Sequence, residues 1–307
     1  MSVIGFDTSN YTTSIAYFDG NNGNNCSKLL PVRLGELGLR QSDAVFHHTK
    51  SLPELSSRLF CDVDTSSVSA IGVSTRPRAV EGSYMPCFMV GYSHAKLLSD
   101  ALHVPLMEFS HQEGHVAASL WSADRMDLMD TPHLAWHLSG GTTELLYVTP
   151  NDKSVTCQRI GGTTDISAGQ LIDRTGQLLE LPFPSGKYVD QLSHNAAKND
   201  VFHIKCNELE FSLSGVQNKV ENFHKSCPDA AEVSGYVLRC ICDVIYRCTE
   251  NALRVYPGLP VVFSGGVTSN AMLRKILEPL EPIFAQPKYS TDNAIGIAVL
   301  THRSMRE

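Results

Sequence analysis

Residues 3–19 read V-I-G-F-D-T-S-N-Y-T-T-S-I-A-Y-F-D, and residues 133–149 read H-L-A-W-H-L-S-G-G-T-T-E-L-L-Y-V-T. Each stretch is an apolar run, a tight turn of small residues, and a second apolar run, which is the signature of a β-hairpin. The same unit returning about 130 residues later indicates an internal repeat. Turns built from Gly, Ser, Thr and Asn let backbone N–H groups converge on an anion, and their hydroxyls add donors. Two such hairpins imply two similar halves facing one nucleotide cleft.

The rest of the chain alternates helical and strand patterns, which predicts an α/β fold with mixed sheets. Helices are expected over Ala44–Arg58, Phe88–Leu102, about 110–122, 165–181, 233–256, and 291–303. Buried strands are expected at Val68–Ser74 and Leu259–Ser264. Residues 33–41 are Gly-punctuated and read as irregular, and 187–232 carry no clear period. The polar connection W-S-A-D-R-M-D-L-M-D-T-P suggests halves of 1–125 and 126–307, with the last helix packing back near their interface.

Composition bounds the function. At 42% hydrophobic and 19% charged residues, the chain is an ordinary globular protein, and no run of about 18 apolar residues offers a membrane span. The N-terminus enters a strand at once, without the pattern of a secretory leader. Nine cysteines, with no C-x-x-C pair, argue against a disulfide framework or a zinc ribbon and for a cytoplasmic protein. Cys240 and Cys242 would point about 200° apart on a helix, so Cys240, Cys242 and Cys248 make poor co-ligands. A net charge of −7 gives general nucleic-acid affinity little to rest on.

Two constellations carry chemistry. His111 and His115 are spaced i, i+4 and share one helix face, a spacing that chelates a cation. Glu113 falls on the opposite side, so this is not the H-E-x-x-H of a metallopeptidase. Ser139-Gly140-Gly141-Thr142 and Ser264-Gly265-Gly266 each end an apolar strand, where glycines let the backbone approach a phosphate closely. Asp165 and Asp173 are read on one helix as acidic groups facing a nucleotide. Asp292 in T-D-N-A is either a helix cap or a carboxylate completing the metal face.

In this order, further segments join these motifs. They include G-S-Y-M-P-C-F-M-V-G-Y-S-H-A-K (82–96), F-S-H-Q-E-G-H (109–115), L-S-G-G-T-T-E-L (138–145) and T-D-I-S-A-G-Q-L-I-D-R (164–174). L-P-F-P-S-G (181–186), F-S-L-S-G-V-Q-N-K-V (211–220) and S-G-G-V-T-S-N-A-M-L-R (264–274) complete the set. Across essentially its whole length the chain resembles the tRNA N6-adenosine threonylcarbamoyltransferases, once described as glycoproteases. The resemblance implies a duplicated actin-like ATPase (ASKHA) fold, as in actin, hexokinase and Hsp70. It implies transfer of threonylcarbamoyl from threonylcarbamoyl-AMP to N6 of an adenosine beside the tRNA anticodon. It makes His111, His115 and Asp292 ligands of one iron or zinc ion, with His137 a fourth candidate. Leu138, Ser139, Gly140, Gly141 and Thr142 would take the phosphate of threonylcarbamoyl-AMP or ATP. Asp173, Gly186, Asp190, Gly265, Gly266 and Asn270 would surround the rest of the nucleotide. tRNA and partner subunits, among them a paralogous actin-like chain, are the implied partners.

The sequence also departs from the family's pattern. Acidic turn positions are Tyr11 and Thr12, and two carboxylates of the D-D-A-x-G-E helix pattern are Ile166 and Gln170. The residue after S-G-G is Thr142. Two readings therefore stand open: a transferase, and a paralogue that binds metal and adenylate in a regulatory or scaffold role.

Overall fold

The computed structural model describes residues 1–9, 11–31, 39–152 and 154–305. Most of the stretch expected to be irregular, 33–41, lies outside the described residues. The chain forms two compact units, one of 1–131, 149–157 and 288–307, the other of 132–148 and 158–287. The boundary expected after residue 125 thus falls before the observed one. The C-terminal segment, expected within the second half, is counted with the first unit because of what its helix buries against, as shown below.

In the first unit, β1 (Ser2–Ser9), β2 (Thr12–Phe18) and β3 (Gly23–Leu29) form an antiparallel meander. The hairpin registers Val3 against Phe18 and closes with Ser9 against Thr12. The helix α1 (Gln41–Phe60) follows, then β4 (Val68–Arg76), α2 (Phe88–Leu102), β5 (Leu106–Ser110) and α3 (His111–Ser122). β4 and β5 add in parallel, giving the order β3-β2-β1-β4-β5. β1 is buried along its whole length, so both faces of this sheet are covered. Ile4, Phe6, Ile71 and Val73 pack with Leu52, Leu55 and Leu59 of α1. The alternate positions Gly5 and Gly72 face the C-terminal helix, where an added Cβ would meet Ala298 and Thr301.

The second unit repeats this plan. β6 (His133–Leu138), β7 (Thr143–Pro150) and β8 (Val155–Thr163) run next to one another. Between β8 and the next parallel strand come α4 (Ala168–Leu178), α5 (Gly186–Ser193), β9 (Cys206–Asn207), β10 (Glu210–Phe211), α6 (Ser214–Ser226) and the long α7 (Ala230–Val255). β11 (Val261–Ser264), α8 (Ala271–Leu277) and β12 (Ile283–Phe284) complete the unit, with α9 (Ile295–Ser304) ending the chain in the first. The order is β12-β11-β6-β7-β8-β10-β9. Read from β8 to β12 it matches β3 to β5: three adjacent strands, then two in parallel. The repeat expected from the two hairpins is a repeat of topology, in an α/β fold with two mixed sheets.

α7 organises the second core. Its apolar side, from Val233 to Ala252, packs with Leu134, Trp136 and Phe263. Trp136 is fully buried, and its indole N–H donates to Thr249 Oγ1 at 2.9 Å, so the only polar atom of that ring is satisfied. Cys240, Cys242 and Cys248 all lie on this helix among buried residues.

Candidate functional site

The first unit assembles the metal candidates at the junction of β5 and α3. Ser110 caps α3 through a reciprocal box: its hydroxyl accepts the Glu113 N–H, and Glu113 Oε2 accepts the Ser110 N–H at 2.7 Å. The box occupies Glu113, on the side opposite the histidines, and fixes His111 as the first helical residue. His115 follows one turn later, and the two Nε2 atoms lie 2.8 Å apart.

Asp292 reaches the same point from the segment preceding α9. Its Oδ1 is 3.3 Å from His115 Nε2 and 3.6 Å from His111 Nε2. The ambiguity between cap and ligand is resolved by its neighbour. Asn293 Oδ1 accepts the Ile295 N–H at 3.1 Å, and its amide donates to the Tyr289 and Thr291 carbonyls. Asn293 thus manages the start of α9 and leaves the Asp292 carboxylate to the histidines. Close helix packing makes this possible. An added Cβ on Gly296 would lie 1.8 Å from the Gly114 carbonyl oxygen, and one on Gly114 would strike Ile297. Two facing glycines therefore let α9 approach α3 at the turn between His111 and His115.

A fourth group was not anticipated. Asp7, on β1 and only 1% exposed, accepts a hydrogen bond from His111 Nδ1 at 2.7 Å through Oδ2. Its Oδ1 takes the Ser9 N–H at 3.0 Å. This fixes the His111 tautomer, so Nε2 is the nitrogen presented to His115 and Asp292. A lone buried Asp in the first hairpin was the available signal.

The electrostatics follow from that arrangement. Burial opposes charge on His111, but Asp7 and Asp292 on either side overcome it and raise its pKa to about 10. His115 is pushed down by burial and by the His111 charge. Burial also opposes the Asp7 and Asp292 carboxylates, yet the imidazoles hold both below the usual range. Two nitrogens at 2.8 Å need a positive centre between them, a proton or a cation, because two lone pairs would repel. His111, His115 and Asp292 offer ligand atoms all within 4.8 Å of one another, and this N₂O donor set fits zinc or iron.

The second unit collects the nucleotide candidates. The Ser139–Thr142 turn is closed by Ser139 N–H to the Thr142 carbonyl at 2.8 Å and Thr142 N–H to Ser139 Oγ at 3.1 Å. The start of α4 braces it: Ser167 Oγ donates to the Gly140 carbonyl at 2.7 Å, and Ala168 N–H to Thr143 Oγ1 at 2.8 Å. Gly265 takes φ +94°, and a Cβ there would meet the Leu138 carbonyl at 2.2 Å. The two S-G-G segments are therefore neighbours. Asn270 caps α8 by accepting the Leu273 N–H at 2.8 Å, and its amide donates to Asp190 Oδ1 at 2.6 Å. Asp173 accepts the Ser185 N–H at 2.8 Å, beside Gly186, and burial pushes its carboxyl up. α5 thus links the two groups, with Gly186 at its start and Asp190 along it.

One sequence expectation needs correction. Asp165 is not on a helix with Asp173, because α4 begins at Ala168. Asp165 instead accepts from the Leu213 and Ser214 N–H groups at 2.8 and 3.2 Å and from two serine hydroxyls, holding the start of α6. His137 sits in the second unit, where its Nδ1 meets Ser264 Oγ at 3.2 Å.

A family profile described as tRNA N6-adenosine threonylcarbamoyltransferase matches residues 38–299. The chain belongs to this family. A threonylcarbamoyltransferase of Streptococcus equi subsp. zooepidemicus is 31% identical over 255 residues, covering 77% of this chain and 70% of the relative. One from Streptococcus suis is 30% identical over 273 residues, covering 81% and 78%. Among solved structures, HypF of T. kodakarensis superposes with a TM-score of 0.62 at 12% identity, covering 97% of this chain and 47% of that one. The ROK hexokinase of Thermus thermophilus gives 0.52 at 14%, covering 100% and 99%. These likenesses are of fold, and they make it the actin-like ATPase type. Threonylcarbamoyltransferase family members act as transferases on tRNA. Among the described residues, no helix is long and apolar enough to cross a membrane.

Proposed function

We propose that this chain transfers the threonylcarbamoyl group of threonylcarbamoyl-AMP to N6 of an adenosine in tRNA, releasing AMP. The observation that carries the reading is the complete His111–His115–Asp292 donor set, braced by Asp7, in a chain of this family. His111, His115 and Asp292 would hold one iron or zinc ion, which supplies positive charge for the phosphate side of the substrate. The Ser139–Thr142 turn of the second unit has backbone N–H groups suited to a phosphate. Asp173, Gly186, Asp190 and Asn270 take the adenosine part, the carboxylates accepting from ribose hydroxyls. The adenosine amine attacks the carbamoyl carbon, and the mixed-anhydride oxygen leaves with AMP. We place the work in the cytoplasm, with partner subunits supplying tRNA contacts that a net charge of −7 does not favour.

Specific positions favour a second reading, a regulatory or scaffold paralogue. Gln170 is committed to a capping box with Ser167, Ile166 packs against the second core, and Thr12 lies in β2 at 8% exposure. These side chains serve the fold where the family pattern has carboxylates.

The test is transfer of labelled threonylcarbamoyl to unmodified tRNA in vitro, alone and with a cell extract depleted of its own transferase. Modified adenosine formed in either assay supports the transferase. Bound metal and adenylate with no transfer in both assays supports the paralogue. Asn270→Ala should weaken adenylate binding by about 1–3 kcal/mol through the lost buried hydrogen bond. Calorimetry on protein confirmed as folded reads this. Unaltered affinity would remove Asn270 from the site.

A further inference from the structure

Cys206 and Cys248 converge on one turn of the second unit. Cys206 opens β9, and its Sγ donates to the Glu208 carbonyl at 3.4 Å. Cys248, on α7, donates to the Leu209 carbonyl at 3.3 Å. Those carbonyls belong to consecutive residues of the turn joining β9 to β10. β9 packs directly on α7, and the two thiols interact with each other. Cys248 is buried, whereas Cys206 is only partly covered.

The surroundings make the two thiols unequal. Arg247, beside Cys248 in the chain, anchors its guanidinium on the Ile204 carbonyl at 2.5 Å and on Asp243 at 2.7 Å. Asn251 donates to the Glu208 carbonyl at 3.2 Å. The contact with Cys248, helped by the Arg247 charge, lowers the Cys206 pKa to about 7 against the opposing effect of burial. The same contact, with burial, pushes Cys248 up. An accessible thiolate beside a buried thiol matches the pairing of an attacking with a resolving cysteine.

We infer that Cys206 and Cys248 are a reversible redox-modification site, oxidised by hydrogen peroxide to an intrachain disulfide. The Cys206 thiolate attacks one peroxide oxygen, the O–O bond breaks, and the hydroxide released takes a proton to become water. Cys206 is then a sulfenic acid. The Cys248 sulfur attacks it, the S–S bond forms, and the sulfenic oxygen leaves as a second water with the Cys248 proton. Two thiols and one peroxide thus give one disulfide and two waters. The bridge ties the β9–β10 hairpin to α7. β10 lies parallel to the end of β8 at Gly162 and Thr163, and its Phe211 carbonyl accepts the Thr164 N–H at 2.9 Å. Oxidation therefore stiffens the segment that leads into α4 and Asp173. This inference does not depend on the transferase reading.

The full-length protein is treated with hydrogen peroxide, alkylated, and mapped by mass spectrometry. Cys206, with Cys248 beside it, should react roughly tenfold faster than the exposed Cys61, which is not part of this pair. The chain should lose two hydrogens in mass and yield a linked Cys206–Cys248 peptide that dithiothreitol releases. The oxidised protein should also melt at a higher temperature. Cys248→Ser should stop at a sulfenic acid that dimedone traps on Cys206, with Cys248→Ala used if the serine variant does not fold. Cys206→Ser should remove the fast phase. A Cys206 that stays reduced while Cys61 oxidises overturns the inference. So does a Cys206 that proceeds to sulfinic acid without a linked peptide.

Discussion

Protein carrying His111→Ala together with His115→Ala should retain no stoichiometric metal, while the wild type should carry close to one equivalent of iron or zinc. The double change removes two of the three donors that lie within 4.8 Å of one another. The remaining Asp292 is one carboxylate, too few ligands to compete with water. A graded version tests the bracing: Asp7→Asn keeps the acceptor for His111 Nδ1 but removes its charge. Loss of such a partner should cut metal affinity by about 10–100-fold. Elemental analysis after dialysis against a weak chelator reads both. The pH dependence has a definite sign. His111 is protonated up to about pH 10 in the metal-free protein, so a cation must displace that proton. Apparent affinity should therefore rise as pH rises toward that value. Equal metal content in wild type and double variant would end the assignment.

Gly296→Ala should destabilise the first unit by about 3 kcal/mol, the upper part of the usual range for overpacking. The new methyl would lie 1.8 Å from the Gly114 carbonyl oxygen and 2.9 Å from the Ala118 nitrogen. These are backbone atoms of α3, which no rotamer change can move aside. The helices must separate, and Asp292, three residues before the start of α9, moves with them. Thermal unfolding should show a fall of several degrees, accompanied by weaker metal binding. A variant that melts like wild type and binds metal equally would show that the α3–α9 approach is not what positions Asp292.

What the sequence disclosed follows the range of the interactions involved. The hairpins β1–β2 and β6–β7 are local, with an apolar period and small-residue turns, and both form at the expected places. The His111–His115 pair is local too, since one helical turn relates the two. Asp292 was ambiguous because its role depends on Asn293 taking the cap, a choice made by side-chain geometry. Asp7 stood out as a lone Asp in the first hairpin, but its role did not show, because its partner lies 104 residues away, on an element that only the parallel sheet brings near. β9 and β10 have two residues each, too few for any period to show. Asp165 looked like a helix-borne acid because T-T-D-I-S-A-G-Q is compatible with a helix from its first residue. Ser167 and Gln170 form the box that starts α4 later.

At Gly140, Gly141 and Gly186, an added Cβ would meet nothing within 4 Å, and none of the three has a positive φ. Neither packing nor backbone conformation demands glycine there, in contrast to Gly265 and Gly296. The fold therefore makes no demand for glycine at these three positions. Alanine at such a position should be tolerated by the fold, even helped slightly by a less disordered unfolded chain. If the proposed nucleotide lies against this surface, a methyl group at any of the three positions would therefore be felt by the ligand and not by the fold.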